Sequence, residues 1–261
     1  MKFWKKSIFV VLDIALAIYL VLAVTSFNKM DDKGKICEKV NIYIADESTN
    51  GFLSAKEIKG ILTKNKLYPW QQNVANISPR KIEELLKRSP FVNTAECYKT
   101  QNNEINITVT QRMPVIRIKS DNGDDYYIDE KGGEMPNSQY TSDLIIATGR
   151  INKHFARNYL SLLALSLMDD ELWQNQIEQV NVLPDKSIEI VPRVGNHIVC
   201  LGQLPENKNV SKRQDEIDKF VKKKLSRLQK FYQHGLSQAG WNKYSYINLE
   251  FDNQIICKRN K

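Results

Sequence analysis

FVNTAECYKTQNNEINITVTQ, residues 91–111, reads as two strands and the turn between them. Ile105-Asn106-Ile107-Thr108-Val109 alternates apolar and polar residues with a period of two, the mark of a half-buried strand. Thr100-Gln101-Asn102-Asn103 is polar turn chemistry, so 91–98 and 104–111 should fold back on each other. Immediately upstream, Ser78-Pro79 is a cap followed by proline at the first helical position. Ile82, Leu85 and Leu86 then share a face until Ser89-Pro90 ends the helix. Further back, Ser54 with Glu57 three residues on is a capping box, and Ile58, Ile61 and Leu62 follow at helical spacing, predicting a helix over 55–64. Val40-Asn41-Ile42-Tyr43-Ile44 alternates again, and 46–51 is turn chemistry. Residues 39–112 therefore run strand, helix, helix, strand, strand, a compact α+β unit, with 28–38 as a polar spacer before it.

Beyond this unit the texture changes to strand and turn. Arg112-Met113-Pro114-Val115-Ile116-Arg117-Ile118 opens a second region, and Tyr126-Tyr127-Ile128-Asp129 with Gly132-Gly133 predicts a hairpin. After a short apolar strand over 144–148, residues 154–168 place Phe155, Tyr159, Leu162, Leu163 and Leu167 at helical spacing. Residues 176–183, 187–192 and 197–201 predict three successive strands, punctuated by Pro184-Asp185 and Gly195-Asn196, hence a meander. A long helix from Ser211 carries Ile217, Val221, Leu225, Leu228, Tyr232 and Leu236 on one stripe, with Lys219, Lys222, Lys223, Arg227 and Lys230 opposite. Gly240 ends it. Residues 246–251 and 254–257 are expected to form one final strand, leaving 259–261 as a tail.

At the other end, IFVVLDIALAIYLVLAVTSF, residues 8–27, has the length and apolarity of a transmembrane helix. Lys2, Lys5 and Lys6 precede it, whereas the charges after it nearly cancel, so 1–7 should be cytoplasmic and the bulk exported. A cleaved signal peptide is the rival reading, but the apolar run is long and the best cleavage pattern, Ala23-Val24-Thr25, is poor. Asp13 is costly in hydrocarbon. Either it reaches back toward the headgroups or is protonated, or it contacts a partner transmembrane helix.

Composition, 42% hydrophobic and 26% charged, is that of a folded protein. The net charge of +8 in an exported chain points to anionic lipid, acidic wall polymer or an acidic protein rather than nucleic acid, unless the lysines only solvate helix faces. Cys37, Cys97, Cys200 and Cys257 show no CxxC and no histidine nearby, which argues against metal. One disulfide within each half and buried free thiols both remain open. His154, His197 and His234 are scattered, and there is no GxSxG, P-loop or GxGxxG, so no catalytic, cofactor or metal residues are expected. Asp121-Asn122-Gly123-Asp124-Asp125 lacks the distant glutamate of a calcium loop and reads as a hairpin turn. A chain that ends on a strand often leaves it at a sheet edge, open to a partner's strand.

The anchor, the strand-helix-helix-strand-strand unit and the β-rich region closed by a helix and strand, taken in that order, resemble the bacterial cell-division family FtsQ/DivIB. The resemblance is carried locally by Arg112-Met113-Pro114-Val115, by Tyr127-Ile128-Asp129-Glu130-Lys131-Gly132-Gly133 with Pro136, and by the ending from Gly240-Trp241 to Gln254. It implies an α+β protein with a single N-terminal transmembrane helix. A domain similar to the polypeptide-transport-associated (POTRA) fold occupies 39–112, and a β domain with flanking helices occupies 113–258. It also implies a non-enzymatic division scaffold in the inner membrane at the septum, helping to regulate septal peptidoglycan synthesis. Its expected partners are FtsB- and FtsL-like coiled-coil proteins and other membrane proteins of the divisome. The implied contact falls on the last strand: Tyr246, Asn248, Leu249, Glu250, Phe251, Asn253, Gln254 and Ile256. Glu250 departs from the arginine many relatives carry there. A POTRA-bearing component of protein transport or outer-membrane assembly is the alternative.

Overall fold

The structure, a computed structural model, describes residues 2–27, 34–46, 51–138 and 143–260, with the side chains of 11–23 in the first of these. Most of the expected spacer, part of the expected turn after residue 46, and Lys261 lie outside the described residues. Helix α1 runs Lys2–Phe27, and Val11, Leu12, Ile14, Leu16, Ile18 and Leu20 on it stand more than half exposed. Among the described residues no helix is long and apolar enough to cross a membrane.

Two compact units follow from the contacts, and they interleave. One comprises Met1–Ala45, Ser54–Arg88 and Thr94–Thr110, and the other Asp46–Leu53, Ser89–Asn93 and Gln111–Lys261. In the first, β1 (Lys39–Ile44), α2 (Ala55–Lys64), α3 (Pro79–Leu86), β2 (Val92–Lys99) and β3 (Glu104–Gln111) appear in the expected order. The capping box closes as the sequence predicts: the Ser54 hydroxyl accepts from the Glu57 N–H, and the Glu57 carboxylate accepts from the Ser54 N–H at 2.8 Å. β3 lies central in the order β1-β3-β2, with β1 parallel to it from Lys39↔Glu104 to Ile44↔Val109. Ile58, Leu62, Ile82 and Leu86 of the helices are buried, as are Ile105, Ile107 and Val109 on one face of β3.

The second unit is built on one nine-stranded mixed sheet. Its strands are β4 (Pro114–Ser120), β5 (Asp125–Asp129), β6 (Glu134–Pro136), β7 (Ile146–Gly149), β8 (Ile177–Val182), β9 (Ser187–Pro192), β10 (Ile198–Gln203), β11 (Tyr244–Asn248) and β12 (Ile256–Arg259). They lie in the order β12-β11-β10-β9-β8-β7-β4-β5-β6. The antiparallel meander β8-β9-β10 appears as the alternation predicts, whereas β7 lies parallel to both β4 and β8. β7 ends on Gly149 at φ +96°, where a Cβ would stand 2.3 Å from the Val182 carbonyl oxygen. Only glycine lets the two backbones meet that closely.

Helical segments cover one face of the sheet. α4 (Lys153–Phe155), a π turn over Ala156–Leu160 and α5 (Ser161–Met168) form one rod before α6 (Glu171–Gln176), and α7 (Val210–Phe231) runs through a second π turn into α8 (Ser237–Ala239). Leu160, Leu163 and Leu167 join Ile217, Val221, Leu225 and Leu228 over Ile118, Val180, Ile190, Val199 and Ile247 in a single core. The apolar stripe read from the sequence is thus the buried stripe of α7.

The four cysteines are free. Val199, Ile247 and Cys257 form one cross-strand row and Cys200, Asn248 and Ile256 the next, so Cys200 and Cys257 project from opposite faces of strands two apart. Two strand spacings, about 10 Å, exceed the roughly 7 Å Cα limit for a disulfide. The pairing of Cys200 with Cys257 left open by the sequence is therefore closed by the fold.

Candidate functional site

The carboxy-terminal segment departs from the single strand expected. It folds as a hairpin: β11 pairs parallel with β10 through Tyr246↔Ile198 to Asn248↔Cys200, and antiparallel with β12 through Asn248↔Ile256 to Tyr244↔Arg259. Asn253 at φ +61° reverses the chain, a conformation asparagine adopts more readily than most residues. The β-forming residues on both sides of Asp252-Asn253 concealed this turn in the sequence.

Of the residues expected to bind a partner, Tyr246 and Asn248 therefore lie in an inner strand. Leu249 is buried, and its N–H donates to Cys200 O at 2.8 Å. Glu250, Phe251, Asn253 and Gln254 lie in the connection, and Ile256 alone of the set lies in the edge strand, 50% exposed. Because the Leu249 amide turns toward β10, Ile247 does so too, and Tyr246 and Asn248 turn toward β12. Their partners Lys258 and Ile256 face back, so the backbone groups of Cys257 and Arg259 point outward from the sheet. Asp13 is exposed on α1.

The connection is held by cations of α7: Lys223 and Arg227, from the face opposite the apolar stripe, and Lys224 beside that stripe. Lys224, only 4% exposed, donates to the carbonyls of Leu249 and Glu250 at 2.6 Å each. Arg227 reaches Phe251 O at 3.0 Å and Gln254 O at 2.6 Å, and Lys223 pairs with Asp252 at 2.8 Å. Burial lowers the Lys224 pKa, reinforced by the nearby Arg227, while the Lys223 ammonium holds the Asp252 carboxyl below its usual value. The available signal was Lys224 itself, a charge beside Leu225 and three residues from Val221 on the apolar stripe.

Beside the connection, Arg227, Lys230, Phe231, His234, Asn253 and Ile255 border an open groove of about 510 Å³. On the sheet face away from the core, the Tyr246 hydroxyl donates to Glu189 at 2.9 Å, and Asn181 Nδ2 donates to the same carboxylate at 2.9 Å. Such a site offers main-chain pairing, a cationic border and exposed apolar side chains at Phe251 and Ile256, which suit protein recognition. Among the described residues no group of His, Cys, Asp and Glu could hold a metal ion.

The two motifs at the start of the second unit meet in space. Arg112 donates to Asp129 Oδ2 through Nε at 2.8 Å and Nη2 at 2.7 Å, and through Nη1 to Pro90 O at 2.9 Å and Glu134 O at 3.1 Å. Asp129, itself buried, accepts the amides of Lys131 and Gly133 on its other oxygen. A Cβ at Gly133 would stand 2.2 Å from Arg112 Nη2, so the arginine needs glycine there. Glu134 next to it receives Lys153 at 3.0 Å and Arg157 at 2.7 Å. Burial pushes the Glu134 carboxyl up, but the two cations outweigh it and hold it below its usual value.

Fold and site together define a two-domain protein that joins a POTRA-like domain to a β-rich domain with an open edge. A POTRA-like domain model matches residues 35–110, and the model described as FtsQ/DivIB, C-terminal related, matches residues 113–258, more than half of the chain. The chain belongs to the FtsQ/DivIB family. No curated protein matches it closely. The two domains point in general to a scaffold of the division machinery that works through protein–protein interactions.

Proposed function

We propose that this protein is a non-catalytic division scaffold of the inner membrane, anchored by residues 8–27 with 1–7 in the cytoplasm and the bulk in the periplasm. At the septum it binds FtsB- and FtsL-like coiled-coil proteins, links early and late division proteins, and helps control septal peptidoglycan synthesis. The observation that supports this reading is the edge position of β12, unpaired on its outer side among the described residues and presented beside a connection held by Lys224 and Arg227. A partner strand would pair with the outward groups of Cys257 and Arg259, and Phe251, Gln254 and Ile256 would meet its side chains.

Proline at Leu249 would not test this, since that amide is already engaged with Cys200. Proline at Cys257 or Arg259 removes an outward donor and should abolish co-purification with an FtsB-like coiled coil while the sheet survives. A complex that withstands both prolines would rule out strand addition at β12. A fluorescent fusion should concentrate at midcell in dividing cells, and an even distribution around the envelope would contradict the scaffold role.

A further inference from the structure

Two exposed apolar side chains flank the point where the chain enters the first unit. Residues 35–37 lie against 72–74: the Cys37 N–H donates to Gln72 O at 2.9 Å and the Val74 N–H to Lys35 O at 2.9 Å, around the antiparallel bridge Ile36↔Asn73. Cys37 is fully buried, so Ile36 turns the other way and stands 55% exposed. The turn just before residue 72 carries Trp70. The Gln72 N–H closes that turn on Pro69 O at 3.1 Å, and the Gln71 N–H ties it to Cys37 O at 2.9 Å. Pro69 is buried, whereas Trp70 is 52% exposed. Gln71 sits at φ +59°, a left-handed conformation that is unfavourable for glutamine. Such a conformation persists where its surroundings fix it, and here the result is a tryptophan ring held out in water.

Two lysines accompany these side chains: Lys35 adjoins Ile36 and Lys66 lies four positions before Trp70, both exposed. Ile36 follows Phe27, the last residue of α1, by nine positions, and nine residues span at most about 30 Å when fully extended. We propose that the corner formed by Ile36 and Trp70 docks on the lipid surface of the membrane that 8–27 spans, with the indole at the level of the headgroups and Lys35 and Lys66 on anionic phosphates. The proposal rests on the reading of 8–27 as an anchor. Tryptophan suits that depth, because its ring is apolar while its N–H keeps a polar partner. Lysine stems lie along apolar surface and leave the ammonium among the headgroups. Lipid is the occupant because the tether keeps it within reach at high effective concentration, so a patch too small for a stable protein interface suffices.

The test places the full chain in vesicles of phosphatidylcholine and phosphatidylglycerol and introduces a photoreactive aromatic residue at one position at a time, Trp70→benzoylphenylalanine or, as the control, Tyr43→benzoylphenylalanine. Tyr43 is 62% exposed but lies toward the far end of β1 from Ile36. After irradiation, lipid adducts should be at least about fivefold more abundant at position 70 than at position 43. Lys35→Glu with Lys66→Glu should lower the yield at position 70 at least about fivefold, since each reversal sets a carboxylate against anionic headgroups. Both lysines are exposed, so the reversals leave the unit folded. Carbonate extraction of the same vesicles separates the docking from the anchor. If the chain resists carbonate yet gives equal yields at the two positions, or a yield at position 70 that the reversals leave unchanged, the docking is overturned and the anchor stands. Release by carbonate overturns both. Crosslinks from position 70 to a second copy in place of lipid also overturn the docking.

Discussion

Arg112 and Asp129 lie 17 positions apart, and each has its remaining bonding capacity taken by backbone. Removing Arg112 leaves the buried Asp129 carboxylate without its cation, so Arg112→Ala should cost about 3 kcal/mol in urea denaturation of the second unit. His197 is a second residue whose surroundings set its behaviour. It is 4% exposed, with Nε2 2.7 Å from the Tyr232 hydroxyl and Nδ1 without a partner. Burial lowers its pKa below the ordinary 6.5. The unfolded chain therefore takes up the proton first, and the stability this group contributes is complete above pH 6.5 and falls as the pH drops toward the folded value. Thermal melts of the wild type should show that slope and those of His197→Phe should lack it. Thiol labelling gives a third check: Cys257, half-buried, should react first, and Cys37, Cys97 and Cys200 only on unfolding.

At the scale of the element, the β11–β12 connection owes its shape to a helix rather than to its own residues. Lys224→Met would leave the Glu250 carbonyl without its donor, at a cost of about 1–3 kcal/mol. Hydrogen exchange should rise across 249–255 while the amides of β9 stay protected. If exchange there is unchanged, Lys224 does not hold the connection. Some elements declare themselves locally. Period-two alternation at 40–44 and 105–109 and the cap at Ser54 predicted β1, β3 and the start of α2, because each signal sits within a few residues. The hairpin turn was hidden because Tyr246, Ile247, Leu249 and Phe251 on one side and Ile255, Ile256 and Cys257 on the other all favour strands. The contact of Arg112 with Asp129 was invisible, although both motifs were noticed, because nothing local states which distant residue a charge will meet.

For the whole molecule, the fold class was legible, a POTRA-like α+β unit and a β-rich one, but the order of the large sheet was not. The parallel ladders of β7 with β4 and β8 depend on partners chosen in three dimensions, and four residues of β7 hold too little pattern to announce them. The anchor is a prediction of the same scale. If 8–27 spans the bilayer, the protein should stay with membranes through alkaline carbonate, and a chain lacking 2–27 should come off in buffer. Release of the full chain by carbonate would sink the anchor.

The order in which strands leave the ribosome adds a consequence of the sheet order. β10 emerges long before β11, and until α7 and the hairpin are complete its outer side is bare, with Val199 and Leu201 beside it. A nonsense mutation anywhere in the last turns of α7 would therefore yield more than a chain without its last two strands. It would leave an inner strand of a large apolar sheet permanently unpaired, a state prone to aggregation and open to proteases. Loss of the protein, rather than loss of one contact, is the phenotype such an allele should show.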